Sequence, residues 1–231
     1  EGDRRHQLLN DVINRIQVML QRDPKNAKMV LALAEIHFHR ADYEASLGNF
    51  RRLRNLNPVD QGQQLEKYAQ ILEREGSSSA AQFYQAIAEF YPGSHLKRSA
   101  QIKLAQFHQK SEKWEEAIAV LRQISPSDLS TLVSLGKIYL YGLYDLDTAE
   151  RIFQQLSGQQ LVYNLQQQVN LLIAECYILR GKPVAAQSVL GPVADKYGDF
   201  QLHAQKLIGD SYLLNAEFDK AVSSYKKVLE I

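Results

Sequence analysis

Four of the chain's six prolines, Pro24, Pro58, Pro92 and Pro126, stand 34 residues apart. A fixed period of that length is the tightest constraint here, because it means that one supersecondary unit is being repeated. The first three prolines follow related phrases, LQRDP, LRNLNP and IAEFYP, in which an apolar-periodic stretch runs out into a turn. Proline stops a helix because it lacks an amide donor and crowds the turn before it. The period therefore predicts helix–turn–helix units, each ended by a proline.

A finer pattern fixes the phase. It places a small residue, then an aromatic or His three later, a second small residue twelve after the first, and a bulky apolar residue four beyond that. Ala34, His37, Ser46 and Phe50 fit it, as do Ala105, His108, Ala117 and Leu121. Ala174, Tyr177, Ala186 and Leu190 fit again, followed by Gly209, Tyr212, Ala221 and Tyr225. Gly136, Tyr139, Ala149 and Phe153 fit with one residue inserted, which the sequence places in the GLYDLD turn. Residues 61–93 fit loosely: the second helix, with Ala80, Tyr84 and Ile87, is in phase, and the first, around Tyr68 and Leu72, is not. The reason for the pattern is packing. Small residues let the two helices of a hairpin approach, and large ones fill the space beside them. Each hairpin leaves an apolar face that the next one buries.

With these spacings the units resemble tetratricopeptide repeats, whose signature sets Leu-Gly, Tyr, Ala, Phe and Pro at these intervals. LIGDSYLLNAEFDKAVSSYKKVL (207–229) carries the resemblance furthest, and LGKIYLYGLYDLDTAERIFQQL (135–156) is next. The signature tryptophan of the first helix is absent, and Trp114 sits instead before a second helix, in KWEEAI. The resemblance covers nearly the whole chain and implies an all-α fold: a right-handed superhelical solenoid of antiparallel helix hairpins, about six repeats plus an N-terminal helix. It implies a protein-binding role and no catalysis.

Residues 1–231 read as one such solenoid. An orphan second helix spans 4–22, with Val12, Ile16 and Met19 in the packing phase. Hairpins follow at about 27–58, 61–92, 96–126, 128–157, 165–198 and 201–231. The chain opens on Glu1 rather than methionine, and its last helix reaches Ile231 with no polar capping helix after it. Terminal repeats need a solvated outer face, so the sequence predicts a piece of a longer protein.

The bulk numbers exclude several classes. Twenty-seven basic residues against 26 acidic ones give a net charge of +1, unlike the clustered basic surface that nucleic acid requires. No run of 18 apolar residues could span a membrane, since the longest candidate, 171–179, is broken by Glu175. Cys176 is the only cysteine, so neither a disulfide framework nor a cysteine-rich zinc site can form. There is no phosphate-cradling glycine loop, metalloprotease helix or calcium loop, and no cofactor is expected. His37 and His108 occupy the aromatic position of their units and read as packing residues. His37 and His39, two apart, lie on different faces of a helix.

In a tetratricopeptide array the first helices line the concave side. Positions one, four and five after the small residue then face a groove, with Glu35, Phe38, His39, Gln106, Gln109 and Lys110 in the N-terminal half. Lys137, Leu140, Tyr141, Glu175, Ile178, Leu179, Asp210, Leu213 and Leu214 follow in the C-terminal half. This mixed lining, more apolar toward the C-terminus, suits a helix or extended segment of another protein. The carboxylate clamp of Lys, Asn and Arg in chaperone-binding relatives is not expected, because Glu35, His39, Gln106 and Lys110 stand where it would carry asparagines. The leading reading is a scaffold that binds a partner segment. The alternative is a structural spacer or self-assembling module. FYPGSHLKRSAQIKLAQFHQKSEKWEEAI resembles repeats of bacterial envelope-assembly and exopolysaccharide-export proteins, which favours a bacterial envelope or periplasmic setting.

Overall fold

The computed structural model describes residues 2–56, 62–196 and 198–230, with side chains from residue 7 onward. Pro58, Gln61 and Ile231, on which three predicted hairpin boundaries fall, lie outside the described residues. The described residues form thirteen α-helices and no strand. These are α1 (Gly2–Arg22), α2 (Ala27–His39), α3 (Tyr43–Leu56), α4 (Gln63–Arg74), α5 (Ala80–Phe90) and α6 (Leu96–Lys110). Then follow α7 (Trp114–Leu121), α8 (Leu129–Lys137), α9 (Leu146–Ser157), α10 (Tyr163–Leu179), α11 (Pro183–Ala194), α12 (Asp199–Leu214) and α13 (Phe218–Glu230). Helix starts are capped where the sequence offers a short acceptor. Asn26, Asp128 and Asp145 accept from the amides of Met29, Thr131 and Thr148 at 3.2, 2.9 and 3.0 Å, each satisfying a donor that the first turn leaves orphaned.

Contacts divide the chain into two compact units, Glu1–Ser111 and Glu112–Ile231. In the first, α1 packs on α2, α2 on α3, α4 on α5, and α5 on α6. Its core is aromatic, with Phe50 and Phe83 fully buried beside Leu65, Leu72 and Ile87. In the second unit α8 pairs with α9, α10 with α11, and α12 with α13. Phe153, Leu140, Leu156 and Val169 form one of its cores, and Leu171, Ala186, Leu190 and Leu207 another.

The helix-to-helix turns are one motif used repeatedly. Ala41, Glu112, Tyr144, Gly181 and Ala216 all take φ between 54° and 67°. In most of these turns the next amide donates back to the carbonyl of the aromatic position: Asp42 to His37 at 2.9 Å, Lys182 to Tyr177 at 2.8 Å, Glu217 to Tyr212 at 2.9 Å. These bonds satisfy last-turn carbonyls that would otherwise be orphaned. Only Gly181 has the residue type this backbone favours.

The same motif corrects two expectations, and the burial of α1 corrects a third. The insertion in the fourth hairpin does not sit in the GLYDLD turn. It is absorbed inside the helix as a π-helical turn over Ile138–Gly142, where the Leu143 amide reaches back to the Ile138 carbonyl at 3.0 Å. The closing bond then runs from Asp145 to Tyr139 at 2.8 Å, preserved by that extra residue. The first helix near Tyr68 and Leu72 is in phase after all. Ala69 is its small residue, Gly76 has φ 70°, and the Ser77 amide donates to the Leu72 carbonyl at 2.9 Å. The looseness lies in the turn, since α5 opens eleven residues after Ala69 where α3 opens nine after Ala34. Finally, α1 turns Ile13 and Leu20 inward and leaves Val12 and Met19 exposed. Its packing stripe is thus rotated by one residue from the predicted one, with Ile16 on the border.

Candidate partner-binding face

The predicted groove residues do project from first helices, but the structure sorts them into three kinds. Phe38 and Leu140 are buried, which corrects their assignment to the open face; Leu140 lies in the core with Phe153 and Val169. Phe38 is held by a ring cluster. Its ring packs on Tyr68 at 4.5 Å, on Phe83 at 5.6 Å and on Tyr43 at 5.8 Å between centroids. Phe83, itself fully buried, forms one wall of the pocket that takes the Phe38 ring. His39 remains exposed, edge-on to Phe38 at 5.6 Å. His37 is occupied locally, with Nδ1 3.0 Å from Asp42 Oδ2.

Three of the carboxylates are held by tyrosines. Tyr68 donates to Glu35 at 2.7 Å, Tyr225 donates to Asp210 at 2.6 Å, and Tyr141 donates to Glu175. Glu175 also meets His203 Nε2 at 3.2 Å, and Asp210 meets Lys206 Nζ at 3.1 Å. Burial, helped by the neighbouring carboxylate, raises the phenol pKa of Tyr68 and Tyr141, and pushes Tyr225 up to about 12. These hydroxyls are therefore protonated donors at neutral pH, and they fix the carboxylates rather than leaving them to reach for a ligand. Glu73 is a related case. Lys103 at 2.6 Å and the Tyr84 hydroxyl at 2.6 Å hold its carboxyl below the usual range.

What remains open is the position five after each small residue. In the first unit it is held by His39, Arg74 and Lys110, all polar and exposed. In the second unit Tyr141, Leu179 and Leu214 hold it, with 49%, 54% and 54% of their surface exposed. Apolar side chains half in water at one repeated position form a row, with Leu213 beside it. Lys137, Ile178 and Asp210 are half-buried along its flank, while Gln106 and Lys110 are exposed in the first unit. The π turn sits at the head of the row. A Cβ on Gly142 would fall 2.7 Å from the Trp114 ring, so that helix end is seated against the indole.

A cavity of about 620 Å³ lies between the second helices α3 and α5, and its rim residues Glu44, Arg51, Gln82, Gln85 and Glu89 are all exposed. It is a surface trough in which Arg51 lies 4.8 Å over the Phe90 ring. Among the described residues no group of three or more His, Cys, Asp or Glu could hold a metal ion. No described helix is long and apolar enough to cross a membrane. Cys176 is buried, and that burial pushes its thiol up to about 12, the opposite of what a nucleophile needs.

Sequence reasoning missed the tyrosine latches, His203 and Lys206. A signal was available: Tyr68 lies 33 residues from Glu35 and Tyr141 lies 34 from Glu175, about one repeat in each case.

Helix hairpins with a small-residue seam, stacked face on face and joined by one recurring turn, define a tetratricopeptide-repeat fold, and this chain has it. MamA from Desulfovibrio magneticus RS-1 is similar over 74% of this chain and 94% of its own, at 12% identity and a TM-score of 0.61. PilW, a widely conserved type IV pilus biogenesis factor, is similar over 85% and 90%, at 18% identity and a TM-score of 0.52. A tetratricopeptide repeat protein from Parabacteroides merdae ATCC 43184 is similar over 96% and 86%, at 16% identity and a TM-score of 0.53. No protein-family model matches the sequence, and no curated protein matches it.

Proposed function

We propose that this chain is a non-catalytic scaffold that holds a segment of another protein on the first-helix face of residues 112–231. The observation that carries this reading is the exposed row Tyr141, Leu179 and Leu214. Packed helices lie about 8–10 Å axis to axis, so neighbouring first helices offer apolar anchors at roughly that spacing. An amphipathic helix with apolar residues at i, i+7 and i+14 presents them about 10.5 Å apart and fits. Burying each anchor contributes on the order of 1.5–3 kcal/mol before the cost of ordering the segment. The latched carboxylates Glu175 and Asp210 supply fixed polar groups at the rim, and Lys137 adds a positive charge beside them.

A place in a bacterial envelope or secretion assembly is the finer part of the reading. It is supported by the YPGS turn at 91–94, and the pilus biogenesis factor PilW has the same fold. A second reading, a spacer or self-assembling module, is favoured by one observation: α1 and α13 both carry uncovered apolar residues, Leu8, Val12 and Met19 on one and Phe218, Val222 and Leu229 on the other.

The test is capture from native extract with soluble and envelope fractions kept apart. Wild type is compared with a Tyr141→Ala, Leu214→Ala variant of unchanged helical content. A partner bound by wild type and lost by the variant supports the scaffold reading. Identical capture by both proteins, or concentration-dependent oligomers with no partner, favours the second.

A further inference from the structure

The first-helix face of the first unit carries a pattern of its own, built of charge rather than apolar surface. Residues 1–111 hold 16 basic and 12 acidic side chains, whereas 112–231 hold 11 and 14. The positive excess belongs to the first unit, and its first helices display part of it in register. On α4 Gln70 and Arg74 stand four apart, and on α6 Gln106 and Lys110 repeat the pair 36 residues later. All four are exposed. Residues four apart share one face of a helix, and α4 lies against α6, so two amide–cation pairs sit side by side. A trough of about 340 Å³ runs between these helices, with Gln70 and Arg74 from α4, Ser99 and Lys103 from α6, and the buried Tyr84 in its lining.

Anions and cations on this face are in opposite states. Glu73 is taken up by Tyr84 and Lys103, each at 2.6 Å. Arg74, Gln70 and Gln106 have no hydrogen-bond or ion-pair partner among the described residues. Lys110 lies 5.8 Å over the Phe107 ring and acts on Glu73 only through space. Glu66 also lines the trough, two turns before Arg74, and keeps an anion toward the Arg74–Lys110 end. A ligand that answers this face brings negative charges about one helix spacing apart, roughly 8–10 Å. In an extended chain of three residues per turn, side chains three apart share a side at about 9 Å. The glutamines select the backbone. A side-chain amide both donates and accepts, which a peptide bond matches and a phosphodiester, an acceptor only, does not. Nor can a nucleic-acid base stack on Tyr68 or Tyr84, since both rings are buried. From this we infer that the α4–α6 trough is a docking site for an extended acidic segment of a partner protein. Its Asp or Glu side chains meet Arg74 and Lys110, and its backbone meets Gln70 and Gln106. The site lies within residues 63–110 and does not depend on the Tyr141–Leu214 row.

The test adds a labelled peptide with Glu at every third position, both ends blocked, to the whole chain at low salt and follows anisotropy. Saturable binding is expected, about tenfold weaker for the Arg74→Gln, Lys110→Gln pair and about threefold weaker for the Gln70→Leu, Gln106→Leu pair. All four positions are exposed, so helical content and Tm should hold. Neutralising two exposed cations elsewhere, Lys25→Gln and Lys28→Gln, should leave affinity within about twofold, as should Tyr141→Ala. Absence of saturable binding at millimolar peptide overturns the inference. So does an affinity untouched by either trough pair, or an equal loss from the Lys25, Lys28 pair, which would reduce the effect to net charge. Oligothymidylate that binds as tightly would make the face a nucleic-acid site. Binding that needs a free C-terminal carboxylate would make it a clamp for chain ends, and either result refutes an internal acidic segment.

Discussion

Gly136 and Phe153 face each other across the seam of the fourth hairpin, and adding one methyl group to the glycine tests how that seam is built. A Cβ at Gly136 would lie 2.4, 2.6 and 3.0 Å from three carbons of the Phe153 ring. Carbon atoms in contact sit about 3.5–4.0 Å apart, so ring or helix must move by roughly 1 Å. Phe153 has nowhere to go, being fully buried among Leu140, Leu156, Val169 and Leu172. Two effects oppose each other. Alanine in place of a helical glycine stabilises by about 1 kcal/mol, while overpacking a filled core costs about 1–3 kcal/mol. Ala34 opposite Phe50 shows that a hairpin can be set to accept both residues, which limits the cost to a shift of the helix pair. Gly136→Ala should therefore lose up to about 2 kcal/mol, a fall in Tm of up to roughly 8 °C for a chain of this size. Phe153→Leu alone leaves a void and should lose about 1 kcal/mol or more. The double variant recreates the Ala174–Leu190 pairing of the next hairpin and should return close to wild type, a favourable coupling of about 2 kcal/mol. Urea and thermal denaturation of the four proteins measure it. Stabilisation by Gly136→Ala alone, or strict additivity in the cycle, refutes the packing account.

Four further outcomes follow. Ala216→Gly, and likewise Ala41→Gly, relieves a left-handed backbone at φ 57° and 58° and should raise stability by about 0.5–1 kcal/mol; a lower Tm counts against the turn motif. Tyr225 has a folded-state pKa raised from its ordinary 10 to about 12, so its contribution is complete below pH 10 and is lost as pH rises toward 12. Alkaline denaturation should accordingly be shallower in Tyr225→Phe, and identical profiles sink the latch. The buried Cys176 thiol, held up near 12, should react with a thiol reagent only as fast as the chain opens; rapid labelling of the native protein contradicts its burial. Gly142→Ala would bring a methyl to 2.7 Å from the indole of Trp114, the only tryptophan, so its fluorescence should shift while helical content holds. An unchanged spectrum refutes that contact.

The sequence was legible wherever a single helix pair decides the outcome. Seam positions such as Ala34, Ala105, Ala174, Ala186 and Ala221 are all fully buried, because a small residue there answers only to the helix it faces. It was less legible where a third element intervenes. Phe38 reads as a groove residue by spacing, yet it is buried because α4 and α5 bring Tyr68 and Phe83 onto it. On α1 both Val12–Met19 and Ile13–Leu20 are apolar stripes, and only the contact with α2 selects between them. The extra residues near Ser77 and Tyr139 are visible as a break in phase, but spacing cannot say whether a turn or a helix absorbs them. For the candidate face, the apolar drift toward the C-terminus was readable. The capture of Glu35, Glu175 and Asp210 by tyrosines was not read, since it joins side chains a repeat or half a repeat apart.

The π turn at Ile138–Gly142 separates length from register. Because the surplus residue is taken up within the helix, the Asp145 amide still finds the Tyr139 carbonyl, and Ala149 and Phe153 still arrive at their places on the seam. A single-codon insertion or deletion in this stretch need not derail anything after it. The helix works as an expansion joint, and the side chain most easily re-aimed by letting it out or taking it in is Tyr141, at the head of the exposed row.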